Sequence, residues 1–219
     1  MAYSGRNEDK RYAGETVDIA YNPKRCIHAE QCVHRLASVF KKDARPWIDA
    51  NGAPAKDIIS VVSLCPSGAL HAQPKNGAVP EEPAQRNAVL LWKDGPLQCV
   101  GNLEIRGANF DIRDETRVTL CRCGQSDNKP FCDNSHRTSA FEAIDADNSA
   151  SEVRDNPMGI VTITLERNGP YHVTGKIEIL NAAGKVIFAG EETRLCRCGQ
   201  SARKPFCDGT HGVIGFQAD

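Results

Sequence analysis

A sixteen-residue stretch that occurs twice constrains this chain more than any other feature. It reads CRCGQSDNKPFCDNSH over 121–136 and CRCGQSARKPFCDGTH over 196–211. Both copies place three cysteines and one histidine at the same spacing, C-x-C-x8-C-x3-H. Because thiolates and imidazoles are metal ligands, the repeat predicts two four-ligand metal sites. Their ligands are Cys121, Cys123, Cys132 and His136 in the first copy and Cys196, Cys198, Cys207 and His211 in the second.

Charge and cysteine content limit the function classes. The 219 residues carry 27 basic and 28 acidic side chains, so the chain has no basic field for nucleic acid or an anionic membrane. It shows no N-terminal apolar signal segment and no run of about 18 to 20 apolar residues. We therefore expect a cytoplasmic protein whose ten cysteines are reduced, nine of them in three groups that indicate metal ligands rather than disulfides. No nucleophile motif or phosphate loop is present, so we expect no enzyme.

A further cysteine group lies near the N-terminus. The alternating sequence TVDIAY at 16–21 predicts a strand, and VHRLASVF at 33–40 has apolar residues at helical spacing. A second periodic run, DIISVVSLC at 57–65, ends where Pro66 stops the helix. The resulting candidate ligands are Cys26, Cys32 and Cys65, and the alternative is three unligated cysteines in a helical domain.

The repeat extends beyond the cysteine stretches. WKDGPLQCVGNLEI at 92–105 corresponds to ERNGPYHVTGKIEI at 166–179, which predicts a strand, a Gly-Pro turn and a second strand in each copy. Repeats of about 60 residues bury little core alone. We therefore predict an α+β protein in which the two β-rich repeats pack as an intramolecular pseudo-dimer. The predicted domains are 12–75, 88–141 and 158–219, with a tail at 1–11, a linker at 72–87 and a loop at 142–157.

Positions beside the ligands give further expectations. Asn134 and Gly209 occupy the same place, and both residue types tolerate positive φ, so we expect the same turn in both copies. Arg122 and Arg197, inside each C-x-C, either offset cluster charge or point to solvent, and solvent is favoured. Cys99 corresponds to a valine in the second repeat, which indicates a small buried apolar residue.

Ligand chemistry alone leaves zinc and iron–sulfur clusters as candidates, although C-x-C is tighter than the pairs usual in zinc sites. The pattern C-x-C-x2-S-x3-P-x-C-D-G-T-H at 196–211 resembles the signature of the CDGSH, or mitoNEET-like, iron–sulfur family. The resemblance implies a β-rich dimeric fold and one [2Fe–2S] cluster per copy. The C-x-C cysteines would hold one iron, and the third cysteine and the histidine the other. The first copy departs from the signature by reading CDNSH.

The N-terminal group resembles small bacterial ferredoxins, in which C-x5-C and a later Cys-Pro hold a cubane-type cluster. CIHAEQC and CPSGAL are similar to the divergent monocluster ferredoxin domains found beside CDGSH motifs. Ala29 stands where [4Fe–4S] ferredoxins have a cysteine. The resemblance therefore implies a ferredoxin-like domain with a [3Fe–4S] cluster, and the alternative is a [4Fe–4S] cluster completed by His28.

These observations predict an iron–sulfur protein that transfers single electrons to or from an unidentified redox partner protein. We expect no nucleic-acid or membrane partner, and a monomer with the internal pseudo-dimer. The alternative function is iron–sulfur cluster transfer, or redox or pH sensing, through labile histidine-ligated clusters. A structural zinc protein is a third hypothesis.

Overall fold

The computed structural model describes residues 9–75, 77, 81–144 and 158–218. The chain divides into two compact units, Arg6–Glu82 and a second unit formed mainly by Pro83–Asp219. Across the described residues, no helix has the length and apolarity needed to cross a membrane. Most of the predicted tail at 1–11 and of the predicted loop at 142–157 lies outside the described residues.

The N-terminal unit has a three-stranded antiparallel sheet, formed in this order by β1 (Lys10–Tyr12), β2 (Val17–Tyr21) and β3 (Leu70–Pro74). Strand β2, in which Val17 and Ile19 are fully buried, confirms the strand predicted at 16–21. The helices of this unit are α1 Gln31–Arg35 and α2 Ala55–Val62. Apolar residues of β2, α2 and β3 form its core together with Phe40 and Ile48.

Three expectations for this unit need correction. The predicted tail is wrong at its end, because residues 10–12 form β1 and pair with β2. The helix predicted over 33–40 ends at Arg35, because Leu36 leaves helical φ (−147°) and Phe40 pairs with Ile48 instead. The predicted linker begins too early. Residues 70–74 form β3 instead. Glu81, inside the predicted linker, accepts a hydrogen bond from the backbone N–H of Ala72 in this strand at 2.7 Å.

The second unit is β-rich and contains both copies of the repeat. Each copy supplies a short first strand and then two strands of ten residues. The predicted Gly-Pro turn joins the short strand to the first of the long ones. The first copy forms β4 Ala88–Leu91, β5 Leu97–Arg106 and β6 Asp111–Leu120. The second forms β7 Ile160–Leu165, β8 Tyr171–Leu180 and β9 Val186–Leu195, followed by the short helix α3 Thr210–Val213.

All six strands belong to one sheet. Strands β4 and β7 lie end to end between β5 and β8, because each pairs with a different stretch of both long strands. β4 is antiparallel to β5 and parallel to β8, whereas β7 is parallel to β5 and antiparallel to β8. The outer strands are β6 and β9. The sheet of each repeat is therefore completed by the first strand of the other.

Buried residues from both repeats form one continuous core. Val89, Leu103, Ile163 and Ile179 are fully buried in it. Cys99 is also buried, and its burial raises the pKa of the thiol to about 12. The interpretation of Cys99 as an apolar core residue is confirmed by this environment.

Candidate metal centres

The first centre begins where β6 ends. Cys121 follows the last residue of that strand, and its Sγ lies 3.7 Å from Sγ of Cys123. Cys132 and His136 form a second pair, in which Sγ and Nδ1 are 3.5 Å apart. The four donor atoms of the first centre are thus arranged as two pairs.

The second centre repeats this arrangement after β9. The Sγ atoms of Cys196 and Cys198 are 3.7 Å apart, and Sγ of Cys207 lies 3.4 Å from Nδ1 of His211. In the described part of the chain, no three or more His, Cys, Asp or Glu side chains are placed to hold a single metal ion. Both centres therefore present soft donors in a two-plus-two arrangement.

Local hydrogen bonds hold the first ligand loop in shape. The Ser126 hydroxyl donates to the carbonyl of Phe131 at 2.7 Å and accepts from the N–H of Asn128 at 3.0 Å. The N–H of Cys121 donates to the carbonyl of Pro130 at 2.8 Å. Equivalent bonds recur in the second loop. The serine and proline of the repeat therefore hold the loop in shape through contacts within the protein.

An aspartate side chain holds the turn that carries the histidine in each copy. Asp133 accepts a hydrogen bond from the N–H of Ser135 at 2.9 Å, and Asp208 accepts from the N–H of Thr210 at 3.0 Å. The bonds from Thr210 lower the pKa of Asp208. Asn134 and Gly209 both have positive φ, 73° and 88°. The expectation of one turn shape for both residue types is confirmed.

The two arginines inside the C-x-C pairs correct the sequence-based expectation of solvent exposure. Arg122 is 0% exposed, and its guanidinium donates to the carbonyls of Gly95 at 2.8 Å and Trp92 at 2.9 Å. It also lies over the ring of Phe141 at 5.6 Å. Arg197 is 1% exposed, and its guanidinium donates to the carbonyl of Glu166 at 3.3 Å. Each arginine therefore ties its ligand loop to the Gly-Pro turn of its own repeat, because the fork of donors reaches carbonyls that no short side chain could span.

Burial and hydrogen bonds set the protonation of the ligands. Burial raises the pKa of Cys132 to about 11, and burial together with the nearby Arg137 lowers the pKa of His136. The contact between the Cys121 and Cys123 thiols lowers the pKa of Cys123. The N–H of Asn134 points at Cys132 Sγ, with N and S 3.4 Å apart. The Asn134 N–H opposes the effect of burial on Cys132, because it stabilises the thiolate, which is the form that binds metal.

The ligand loops of the two centres contact each other through glycines. A methyl group on Gly124 would lie 2.3 Å from the carbonyl oxygen of Cys198, and one on Gly199 would lie 2.3 Å from that of Cys123. Both glycines have φ near +77°, at 76° and 78°. Only glycine allows this approach, so the residue after each C-x-C fixes how closely the loops pack. Sequence reasoning missed this contact and the arginine contacts.

The N-terminal unit brings its three predicted cysteines to one cavity. Cys26, Cys32 and Cys65 line it, together with His28 and Ala29. Burial raises the pKa of the Cys26 and Cys32 thiols, and a charge on Cys65 raises both further. The pKa of Cys32 rises to about 11. His28 is exposed, so it stands at the rim of the cavity.

Hydrogen bonds from neighbouring groups support these thiols. The N–H of His28 and the Tyr21 hydroxyl donate to the Cys26 thiol, and both lower its pKa against the opposing effect of burial. Cys65 Sγ lies 3.6 Å from the Ser67 hydroxyl oxygen. Three soft, partly buried donors around one cavity fit an iron–sulfur cluster.

Comparison with known proteins agrees with this geometry. A family described as "Divergent 4Fe-4S mono-cluster" matches residues 12–75. The family described as "Iron-binding zinc finger CDGSH type" matches twice, at 94–137 and 168–212. Two curated relatives from Escherichia coli, strain K12 and O157:H7, are both called "Uncharacterized protein YjdI". Each is 34% identical over 59 residues, which is 27% of this chain and 78% of the relative. The chain therefore belongs to the CDGSH iron-binding family, with two CDGSH domains in tandem that follow a divergent 4Fe-4S mono-cluster domain.

Proposed function

We propose that this iron–sulfur protein binds one [2Fe–2S] cluster at each CDGSH centre and one cubane-type cluster in the N-terminal unit, and that it transfers single electrons. The observation that carries the proposal is the two-plus-two arrangement of donors, repeated at both centres. Two irons each need two protein ligands in a [2Fe–2S] cluster. A closed zinc site needs four donors around one ion.

In the N-terminal unit, three cysteines can ligate three irons. We assign a [3Fe–4S] cluster to this cavity, because Ala29 offers no ligand at the place of the missing cysteine. His28 at the rim makes a [4Fe–4S] cluster the alternative. The ferredoxin-like assignment of this unit is part of the same proposal.

The second unit functions as an internal pseudo-dimer in this proposal. Its support is the reciprocal exchange of β4 and β7 between the repeats and the reciprocal contact of Gly124 and Gly199. Fusing the two halves in one chain removes the need for a second copy.

The ligand set favours a mild electron carrier. An iron–sulfur cluster supplies a reversible one-electron couple. Replacing one thiolate ligand by a neutral imidazole makes the charge of the cluster less negative, so the cluster accepts an electron more easily. All-cysteine plant-type ferredoxins lie near about −400 mV and two-histidine Rieske centres at about −150 to +300 mV. A site with one histidine should fall between these or near the lower Rieske values.

Cluster transfer is the second candidate function, and exposure of the histidine turns favours it. The turns Ser135–Arg137 and Thr210–Val213 contain no buried residue, whereas the C-x-C cysteines are buried. Solvent protons and an acceptor protein therefore have access to the histidine side of each cluster. Loss of that ligand would release the cluster.

Repeated redox cycling of the purified, loaded protein separates the two functions. An electron carrier should return to its full visible absorbance after many cycles of dithionite reduction and reoxidation, with or without an apo-ferredoxin acceptor. A cluster donor should lose absorbance as the acceptor gains it. Transfer to the acceptor at a rate faster than redox exchange would refute electron transfer as the main function.

A further inference from the structure

Tyr171 marks a difference between two otherwise equivalent places in the repeats. It begins β8 and aligns with residues of β7 and β9, just as Leu97 begins β5 and aligns with residues of β4 and β6. Both side chains are 0% exposed. The second repeat therefore carries a buried hydroxyl where the first has only carbon atoms.

That hydroxyl reaches from the second repeat to the first centre. Tyr171 Oη donates to the carbonyl of Cys121 at 2.8 Å and also lies 3.1 Å from the carbonyl oxygen of Pro130. The same Pro130 carbonyl accepts the N–H of Cys121. The phenol thus binds the backbone on both sides of one ligand loop, whereas Leu97 has no hydroxyl to offer the corresponding carbonyls of the second centre.

Burial keeps the Tyr171 hydroxyl protonated, and Arg197 keeps its ring in place. Burial raises the pKa of Tyr171 well above its usual value, so the hydroxyl keeps its proton. The guanidinium of Arg197 lies over the ring, 5.6 Å from its centroid. Arg197 itself stands between the two cysteines of the second C-x-C. Tyr171 therefore contacts the second ligand loop through its ring and binds the first ligand loop through its hydroxyl.

We propose that Tyr171 is a positioning residue that makes the two CDGSH centres inequivalent, so that the first cluster is retained longer and has the higher reduction potential. The proposal rests on the proposed function, since it requires a cluster at each centre. Retention follows because a buried hydrogen bond holds the Cys121 backbone. The higher potential follows because the positive end of the O–H dipole faces the loop of the first cluster, which favours the added electron.

Tyr171→Phe is the direct test, because it keeps the ring under Arg197 and removes only the hydroxyl. Cluster loss near pH 6 and midpoint potentials are measured on the loaded protein, by visible absorbance and by EPR-monitored titration. His136→Cys and His211→Cys backgrounds assign each signal to its centre. We expect the first cluster to be lost about five-fold faster and its potential to fall, while the second cluster keeps its rate and potential.

Leu97→Met is the matched control, since it changes the equivalent position without adding or removing a polar group. It should move neither potential. Equal changes at both centres in Tyr171→Phe, or no change at either, would overturn the proposal. In the unmodified protein the first centre should have the higher potential, so equal or reversed potentials overturn it even if the variant does not load. A parent protein that binds no cluster would instead refute the proposed function itself.

Discussion

At the scale of single residues, the histidine predicted as a ligand in each centre is only partly buried. Burial lowers the pKa of His136, so the fold favours the neutral imidazole that binds iron. A group with a lowered folded pKa loses its stabilising effect as pH falls below the unfolded value, about 6.5 for histidine. Cluster retention should therefore be complete above that pH and decline below it.

This reasoning predicts acid-labile clusters. The rate at which visible absorbance is lost should increase from pH 8 to pH 6, approaching about ten-fold per pH unit below the imidazole pKa. His136→Cys and His211→Cys should each slow the loss from one centre, because a thiolate competes better with protons for iron. His172→Gln is the control, since His172 is no ligand and its counterpart in the first repeat is Gln98. Variants that bleach as fast as the parent would contradict the role of the histidines.

The buried arginines give a second prediction at this scale. Arg122→Lys removes the fork that reaches two carbonyls and takes a donor from the buried carbonyl of Gly95, which should cost about 1–3 kcal/mol of unfolding free energy. Arg113→Lys changes a side chain that is 67% exposed and should stay within about 0.5 kcal/mol of the parent. Denaturant unfolding followed by circular dichroism measures both. Equal losses in the two variants would show that the Arg122 contacts do not stabilise the loop.

The sequence predicts the ligands better than it predicts their supports. Cysteine and histidine spacing is local, so the pairing of Cys132 with His136 follows from four residues of chain. The sequence does not predict the contacts of Arg122, because its partners, at Trp92 and Gly95, lie about 30 residues away and accept through backbone atoms. The contacts of Tyr171 are unpredictable for the same reason, since they also go to distant backbone carbonyls.

At the scale of elements, the contact between the two ligand loops depends on glycine. Gly199 and Gly184 have the same φ, 78°, but only Gly199 has a backbone carbonyl 2.3 Å from the place of a methyl group. Gly184 has no atom within 4 Å of that place. Comparing alanine variants of Gly184 and Gly199 therefore separates the energetic cost of positive φ from the cost of the steric contact.

Gly184→Ala should cost about 1 kcal/mol, the strain of a non-glycine residue at positive φ. Gly199→Ala should cost about 2 kcal/mol more, because the loop must also move away from Cys123. Denaturant unfolding of the two variants measures the difference. If both variants lose the same free energy, the loops are not in contact.

The sheet shows where element-level prediction ends. Alternating apolar residues and Gly-Pro turns predict the strands β5 and β8 within each repeat. They do not predict that β4 and β7 share the middle of one sheet, because those pairings join residues more than 50 positions apart. The need to bury both repeats in one core selects this arrangement.

At the scale of the whole molecule, each of the two units has its own apolar core and its own ligand set. Eleven predicted ligands fall into three groups, four at each CDGSH centre and three in the N-terminal cavity.

Mössbauer spectroscopy of ⁵⁷Fe-labelled protein, purified without oxygen, tests the central claim most directly. We predict about seven irons per chain, in two pairs with one histidine-ligated iron each and one three-iron cluster. We also predict an EPR signal from the oxidised [3Fe–4S] cluster and none from the oxidised [2Fe–2S] pairs. About eight irons would assign the N-terminal site to [4Fe–4S]. Colourless protein with stoichiometric zinc and no iron would contradict the account.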